Sequence, residues 1–257
     1  MRTFFTLFLF SVLGFFFSQP SAIASCPLTN TTNFAVYTGT GVDALSKYWV
    51  RYFMNDWSVN YASLSTAEFN SCDFTRYPNL KAIVMPGGNA YSRQAALGST
   101  GKNKIYAFLN SGGKYVGICA GWFYASNGYY WEGTWYNYAN LLKYIQAPEG
   151  SISALATYPN LAIASVNGGS GKMLYWGGPT YGYYYTRYPG PGSEKLKYTD
   201  YWTYGLKAGL SYYKMLLFSV HPEAKENHGF TGLTASQRQS NYLFLRSKIN
   251  AHLGTNY

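Results

Sequence analysis

Apolar and polar positions fall in short blocks along this chain, and most blocks stop at a glycine turn. Asn33-Phe-Ala-Val-Tyr37 has the pattern of a strand and runs into Thr38-Gly-Thr-Gly41; apolar residues at helical spacing follow from Val42 to Met54. A second strand is predicted over Val59 to Leu64, and a third over Leu80 to Met85 that ends at Pro86-Gly87-Gly88. Lys102 to Ser111 predicts a helix closed by Gly112-Gly113. Tyr115 to Ile118 predicts a fourth strand entering Cys119, and Ala120 to Ser126 the start of another helix. Strands alternating with helices through short turns imply a parallel sheet covered on both faces. Further on, strands are predicted over Leu161 to Val166, Lys172 to Trp176 and Lys214 to Val220, with aromatic-rich turns between them, and Ser236 to His252 reads as an amphipathic closing helix. The expected fold class is α/β, a mainly parallel sheet with helices on both faces and antiparallel additions in the C-terminal half. Tyr188-Pro-Gly-Pro-Gly-Ser193 is expected to be a surface loop. No linker divides the halves, so one domain is expected rather than an added β-rich one.

The first 24 residues stand outside this pattern. Arg2, an apolar run from Phe4 to Phe17 and then Ala22-x-Ala24 have the layout of a signal peptide cleaved after Ala24, leaving a single domain over 25–257. The apolar run is shorter than the roughly 20 residues of a spanning helix, and no later segment resembles one. The protein is expected to be secreted or periplasmic, without a transmembrane anchor once the signal is removed. A lipid anchor on Cys26 is the lesser alternative, since Ile23-Ala24-Ser25-Cys26 resembles an attachment box but is separated from the apolar run by a polar gap.

Three cysteines in an exported chain leave one over. Cys26 and Cys72 are the natural disulfide partners in an oxidising compartment, and Cys119 is then the free thiol. The formal charge of +10 comes from scattered Lys and Arg residues, and no basic run marks a nucleic-acid arm. The 47% hydrophobic and 12% charged residues are those of a globular chain rather than a disordered one. Aromatics make up 20%, including 28 tyrosines, surfaces that suit binding as well as packing.

In open α/β sheets ligands bind beyond the carboxyl ends of strands, where Gly39 to Gly41, Gly87-Gly88 and Cys119 all fall. Gly117-x-Cys119-x-Gly121 is the cysteine counterpart of a nucleophile elbow, in which small neighbours let a sharp strand-to-helix turn expose the side chain. The helix N-terminus that follows would favour a thiolate. About a hundred residues later, Leu216-Leu-Phe-Ser-Val220 delivers His221 at the end of an apolar strand, with Glu223 two positions on. A thiol nucleophile needs a base, and the base needs an orienting acid, so Cys119, His221 and Glu223 are the candidate catalytic residues. The bland alternatives are a buried structural cysteine, a satisfied core histidine and a solvated carboxylate. His228 and His252 lie in less suggestive places.

Gly117-Ile-Cys-Ala-Gly121 together with His221-Pro-Glu223 resembles the class I glutamine amidotransferase-like superfamily. Val84-Met-Pro-Gly-Gly88, the stretch from Gly112 to Ser126 and Tyr175-Trp-Gly-Gly-Pro179 look most like the N-terminal domain of biotin-protein ligases, here as a stand-alone exported member. The resemblance implies a flavodoxin-like fold, with Cys119 as nucleophile, His221 as base and Glu223 as its orienting acid. Backbone N–H groups of Ala120 and of Gly87 or Gly88 would form the oxyanion hole. The pattern departs from glutamine-using enzymes at Phe123, where they carry Gln, so glutamine hydrolysis is not expected. No synthetase or ligase region follows, so biotinylation is not expected either.

The leading expectation is an exported cysteine hydrolase acting on an amide bond of a small-molecule or peptide-like substrate in the cell envelope or outside the cell. Its cleft would be lined by Trp122, Phe123 and Tyr124, together with Tyr129, Tyr130 and Trp131. Gamma-glutamyl hydrolases share the elbow and His-Pro-Glu, which makes a gamma-glutamyl substrate a variant of this reading. The alternative is a catalytically silent, aromatic-rich binding module on the same fold, and a thiol-based redox or glyoxal-handling role is a weaker third. No cofactor, metal or nucleic acid is called for.

Overall fold

A computed structural model of the chain describes residues 24–126, 128–131, 134–141, 145–146, 161–166, 169–179, 183–184, 202–203, 206–207, 209–212, 214–224 and 232–257. Residues 1–23, which fall in the predicted signal peptide, the loop predicted at Tyr188 to Ser193, and His228 lie outside them.

The central sheet is built from β1 (Phe34–Tyr37), β2 (Tyr61–Leu64), β3 (Ala82–Met85) and β4 (Lys114–Ile118) in the first half of the chain, then β13 (Gly209–Tyr212) and β14 (Met215–Phe218) in the second. Its spatial order is β13-β14-β4-β3-β1-β2, with every neighbouring pair parallel except β13 and β14. This is a flavodoxin-like arrangement: the chain steps outward from β1 to β2 and returns to the other side of β1 for β3. The gap between the ends of β1 and β3 is the switch point where such sheets bind ligands. Smaller antiparallel pairs form outside this sheet: β5 (Gly128–Trp131) with β6 (Thr134–Asn137), and β8 (Ala162–Ser165) with β9 (Lys172–Tyr175). Two-residue pairs join β7 (Ile145–Gln146) to β10 (Tyr183–Tyr184), and β11 (Trp202–Thr203) to β12 (Leu206–Lys207).

The period-2 alternation of the strands sorts the core into two faces. Phe34, Val36, Val84, Val116, Ile118, Leu216 and Phe218 pack under α1 (Ala44–Asp56) and α5 (Ala235–Leu253). Ala35, Tyr37, Ile83, Met85, Tyr115 and Leu217 face α2 (Thr66–Ser71), α3 (Ala90–Asn110) and α4 (Ala120–Ala125).

Helix α3 starts at Ala90, twelve residues before the predicted start at Lys102, because Asn89 caps it by accepting from the Ser92 N–H at 2.9 Å. Gly98, at φ 56° and ψ −155°, interrupts the helix and masks its first half as loop in the sequence pattern. Helix α2 is too short to show a period. It is started by a capping box in which Ser65 and Glu68 exchange bonds of 2.7 and 3.3 Å. No described helix is long and apolar enough to cross a membrane.

Cys26 and Cys72 form the expected disulfide, 46 positions apart in sequence, which ties the strand-free N-terminal segment to the end of α2. Closing a loop of that length stabilises mainly by restricting the unfolded chain, so the Cys26→Ser/Cys72→Ser double variant is expected to lose roughly 2–4 kcal/mol. The loss would be read as a lower urea midpoint, and an unchanged midpoint would refute it.

Candidate active site

Strand β4 hands the chain to α4 at Cys119, whose φ of 53° and ψ of −110° are rare for a residue with a side chain. Holding it there costs on the order of 1–3 kcal/mol, strain of the kind that clusters at functional sites. The Cys119 N–H is tied to Phe218 O at 2.7 Å, so the turn is anchored on β14. Gly121 has to be glycine because α4 crosses β3 closely: a Cβ there would stand 2.1 Å from Met85 O. Cys119 is 5% exposed and is the free cysteine, and its sulfur is the reactive atom of the side chain. It opens on a cavity of about 140 Å³ lined by Gly41, Val42, Asp43, Gly88, Asn89 and Trp176, at the switch point between β1 and β3.

His221 follows β14 and is held in place by its N–H, which donates to Leu174 O of β9 at 2.8 Å. A turn in which the Ala224 N–H bonds His221 O folds Glu223 back on the ring. Nδ1 of His221 and Oε1 of Glu223 are 2.8 Å apart, and both side chains are fully buried. Trp49 of α1 and Trp176 flank the imidazole, with ring centroids 5.6 and 6.1 Å away. Burial opposes charge on His221, but Glu223 and then Cys119 outweigh it and lift the imidazole to about 10. At neutral pH the ring is therefore held as an imidazolium.

The same small space borders all of these groups. A Cβ on Gly87 would lie 2.7 Å from His221 Cε1 and 3.4 Å from Cys119 Cβ, so only glycine leaves room between them. The thiol itself donates to Trp176 O at 3.3 Å, and Nε2 of His221 faces no group with hydrogen-bond geometry. Gly88 lines the cavity, and neither its N–H nor that of Ala120 has a hydrogen-bond partner among the described residues. Donors that point at no acceptor beside a nucleophile are what an oxyanion requires.

The cleft assignment of Trp122, Phe123 and Tyr124 is corrected by the structure. They are 1%, 8% and 0% exposed and pack in the core on the α3 side of the sheet, because α4 turns away from the cavity as soon as it leaves Cys119. Phe123 therefore stands in the core rather than beside the thiol, and the cavity wall is supplied by the turns after β1 and β3 and by Trp176. The side chains of Tyr129, Tyr130 and Trp131 fall outside what the structure describes. His252 is pushed down to about 4 by burial, which makes it a neutral structural residue. Residue-pattern reading gave no role to Trp176 or Trp49. Trp176 sat inside a quoted motif, whereas Trp49 is one apolar helix position among several, with no signal of its own.

Comparison with known proteins agrees with this geometry at the level of the fold. Residues 32–136 match a family described as biotin-protein ligase, N terminal, a stretch that contains the glycine turns and Cys119 and stops short of His221. A crystal structure of a glutamine amidotransferase is similar over 84% of this chain and 98% of its own, with a TM-score of 0.53 at 15% identity. A glutamine amidotransferase from Thermotoga maritima is similar over 88% of this chain and 99% of its own, with a TM-score of 0.48 at 11% identity. No curated protein sequence matches the chain. The chain therefore shares its overall fold with a glutamine amidotransferase, and residues 32–136 are similar to the biotin-protein ligase N-terminal family.

Proposed function

We propose that, on this glutamine amidotransferase-like fold, the protein is an exported cysteine hydrolase that cleaves an amide bond through Cys119, His221 and Glu223. The observation that carries the reading is the buried His221–Glu223 pair at 2.8 Å, set against a strained, free cysteine that shares its cavity with Gly88. Rotation of the sulfur from Trp176 O toward Nε2 of His221 would complete the reactive pair. The thiolate would add to the substrate carbonyl, and Gly88 and Ala120 N–H groups would receive the oxyanion. The imidazolium, which holds the proton given up by Cys119, would pass it to the leaving amine; the neutral imidazole would then take a proton from water, whose attack on the thioester releases the acid and returns the thiolate–imidazolium pair. Export through residues 1–24 fits the Cys26–Cys72 bond, which calls for an oxidising compartment.

The test is alkylation of Cys119 with iodoacetamide at pH 7. His221→Ala is expected to slow it by about 10²-fold, the usual scale for loss of a positioned base. Labelling at an ordinary rate, unaffected by His221→Ala, would sink the hydrolase and leave the binding module.

A further inference from the structure

Resting on that reading of Cys119, we propose that Arg93 is the positioning residue that aims the oxyanion hole. Arg93 sits near the start of α3 and is 0% exposed. No described carboxylate pairs with its guanidinium. A buried cation without a counter-charge is costly, so its retention asks for a reason. Its Nη2 donates to Pro86 O at 2.7 Å, Gly41 O at 3.2 Å and Gly87 O at 3.3 Å, while Nε and Nη1 have no partner. The Tyr37 ring lies 5.7 Å from the guanidinium carbon. Burial acts to lower the pKa of Arg93, against the pull of Tyr115, Tyr37, Tyr124 and Cys119.

The bonds to carbonyls set the direction of the amides. In a planar trans peptide the C=O of one residue and the N–H of the next point in opposite directions. Drawing the carbonyls of Pro86, Gly87 and Gly41 toward Arg93 therefore turns the N–H groups of Gly87, Gly88 and Val42 away from it. The Val42 N–H is used by Gly39 O at 3.1 Å, but the Gly88 N–H stays open on the cavity beside Cys119. This side chain braces the turn after β1 against the turn after β3, the two walls of the cavity, alongside the backbone bonds from the Asp43 N–H to Gly87 O at 3.3 Å and from the Asn89 N–H to Gly41 O at 2.8 Å, and it puts a positive charge behind the amides that would receive an oxyanion.

Two small probes separate this role from an effect on the thiol itself. With 4-nitrophenyl acetate the thiolate adds to the ester carbonyl, a tetrahedral oxyanion forms and collapses, the acetyl group passes to sulfur, and 4-nitrophenolate leaves. With iodoacetamide the sulfur displaces iodide and no oxyanion arises. Arg93→Met is expected to slow acetylation of Cys119 by about 10²-fold, the scale of losing one oxyanion donor, and to slow alkylation far less, by only what the lost charge near the sulfur takes from the thiolate. Background is set with Cys119→Ser. Arg93→Lys keeps the charge and reaches fewer carbonyls, so it should fall between, and it supplies the same ratio if the Met variant does not fold. Equal slowing with both probes, or slowing with neither, would overturn the proposal. Alkylation of the parent protein that does not depend on His221 would instead remove the hydrolase reading, and the ratio of the two probe rates would still judge Arg93.

Discussion

Glu223→Ala is expected to lose about 3–5 kcal/mol of folding stability at neutral pH, the scale of stranding one member of a buried ion pair. Both side chains of the pair are fully buried and 2.8 Å apart, so removal of the carboxylate takes away the main counter-charge of the buried imidazole. Glu223→Gln keeps the shape and one oxygen acceptor, and should lose less. The pH dependence carries the same information with a definite sign. His221 is lifted to about 10 in the folded protein from an ordinary value of 6.5, so between those values the folded state holds a proton that the unfolded chain releases. The stabilisation is complete below about pH 6.5 and is lost as pH rises through about 10. Urea midpoints of the parent should therefore fall across that window, and the slope should flatten in Glu223→Gln. Identical slopes in the two proteins would show that the pair does not carry the charge assigned to it.

Gly121→Ala is expected to destabilise by about 3 kcal/mol or more, at or beyond the upper end of ordinary overpacking. The added carbon would sit 2.1 Å from Met85 O, a backbone atom of the central strand β3 that no rotamer change can move aside. Relief requires α4 to lift off β3. That movement also displaces the turn at Cys119, whose carbonyl receives the Trp122 N–H at 2.9 Å. Chemical denaturation reads the first effect and iodoacetamide alkylation of Cys119 the second. A variant with parental midpoint and parental alkylation would mean that α4 does not approach β3 this closely.

The parts of the site that could be read from residues alone were those that local rules determine. Glycines at strand ends, a cysteine between two of them, and a histidine closing an apolar strand are short-range patterns, each with one structural meaning. The aromatic wall failed as an expectation because proximity in sequence to Cys119 was taken as proximity to its cavity. Helix α4 lasts only six residues and carries Trp122, Phe123 and Tyr124 through to the other face of the sheet. In sequence Arg93 is one scattered basic singlet, and its place near the start of α3 is hidden by Gly98, which interrupts the helix. Helix α2 escaped for a similar reason, since one buried phenylalanine gives no period.

The sequence by itself determined the alternation of strands and helices and the odd cysteine, and it singled out Cys119, His221 and Glu223 as candidates for nucleophile, base and acid. Those are matters of periodicity and residue chemistry, and they survive in one dimension. Only the tertiary structure decided that Cys119 and His221 border one space beneath Gly87, and that Trp176 O holds the thiol. It alone showed that the Arg93 guanidinium gathers three carbonyls from two turns. These contacts join positions as far apart as Gly87 and His221 through the register of parallel strands, and a parallel register is set by packing across the whole sheet rather than by any neighbouring residues.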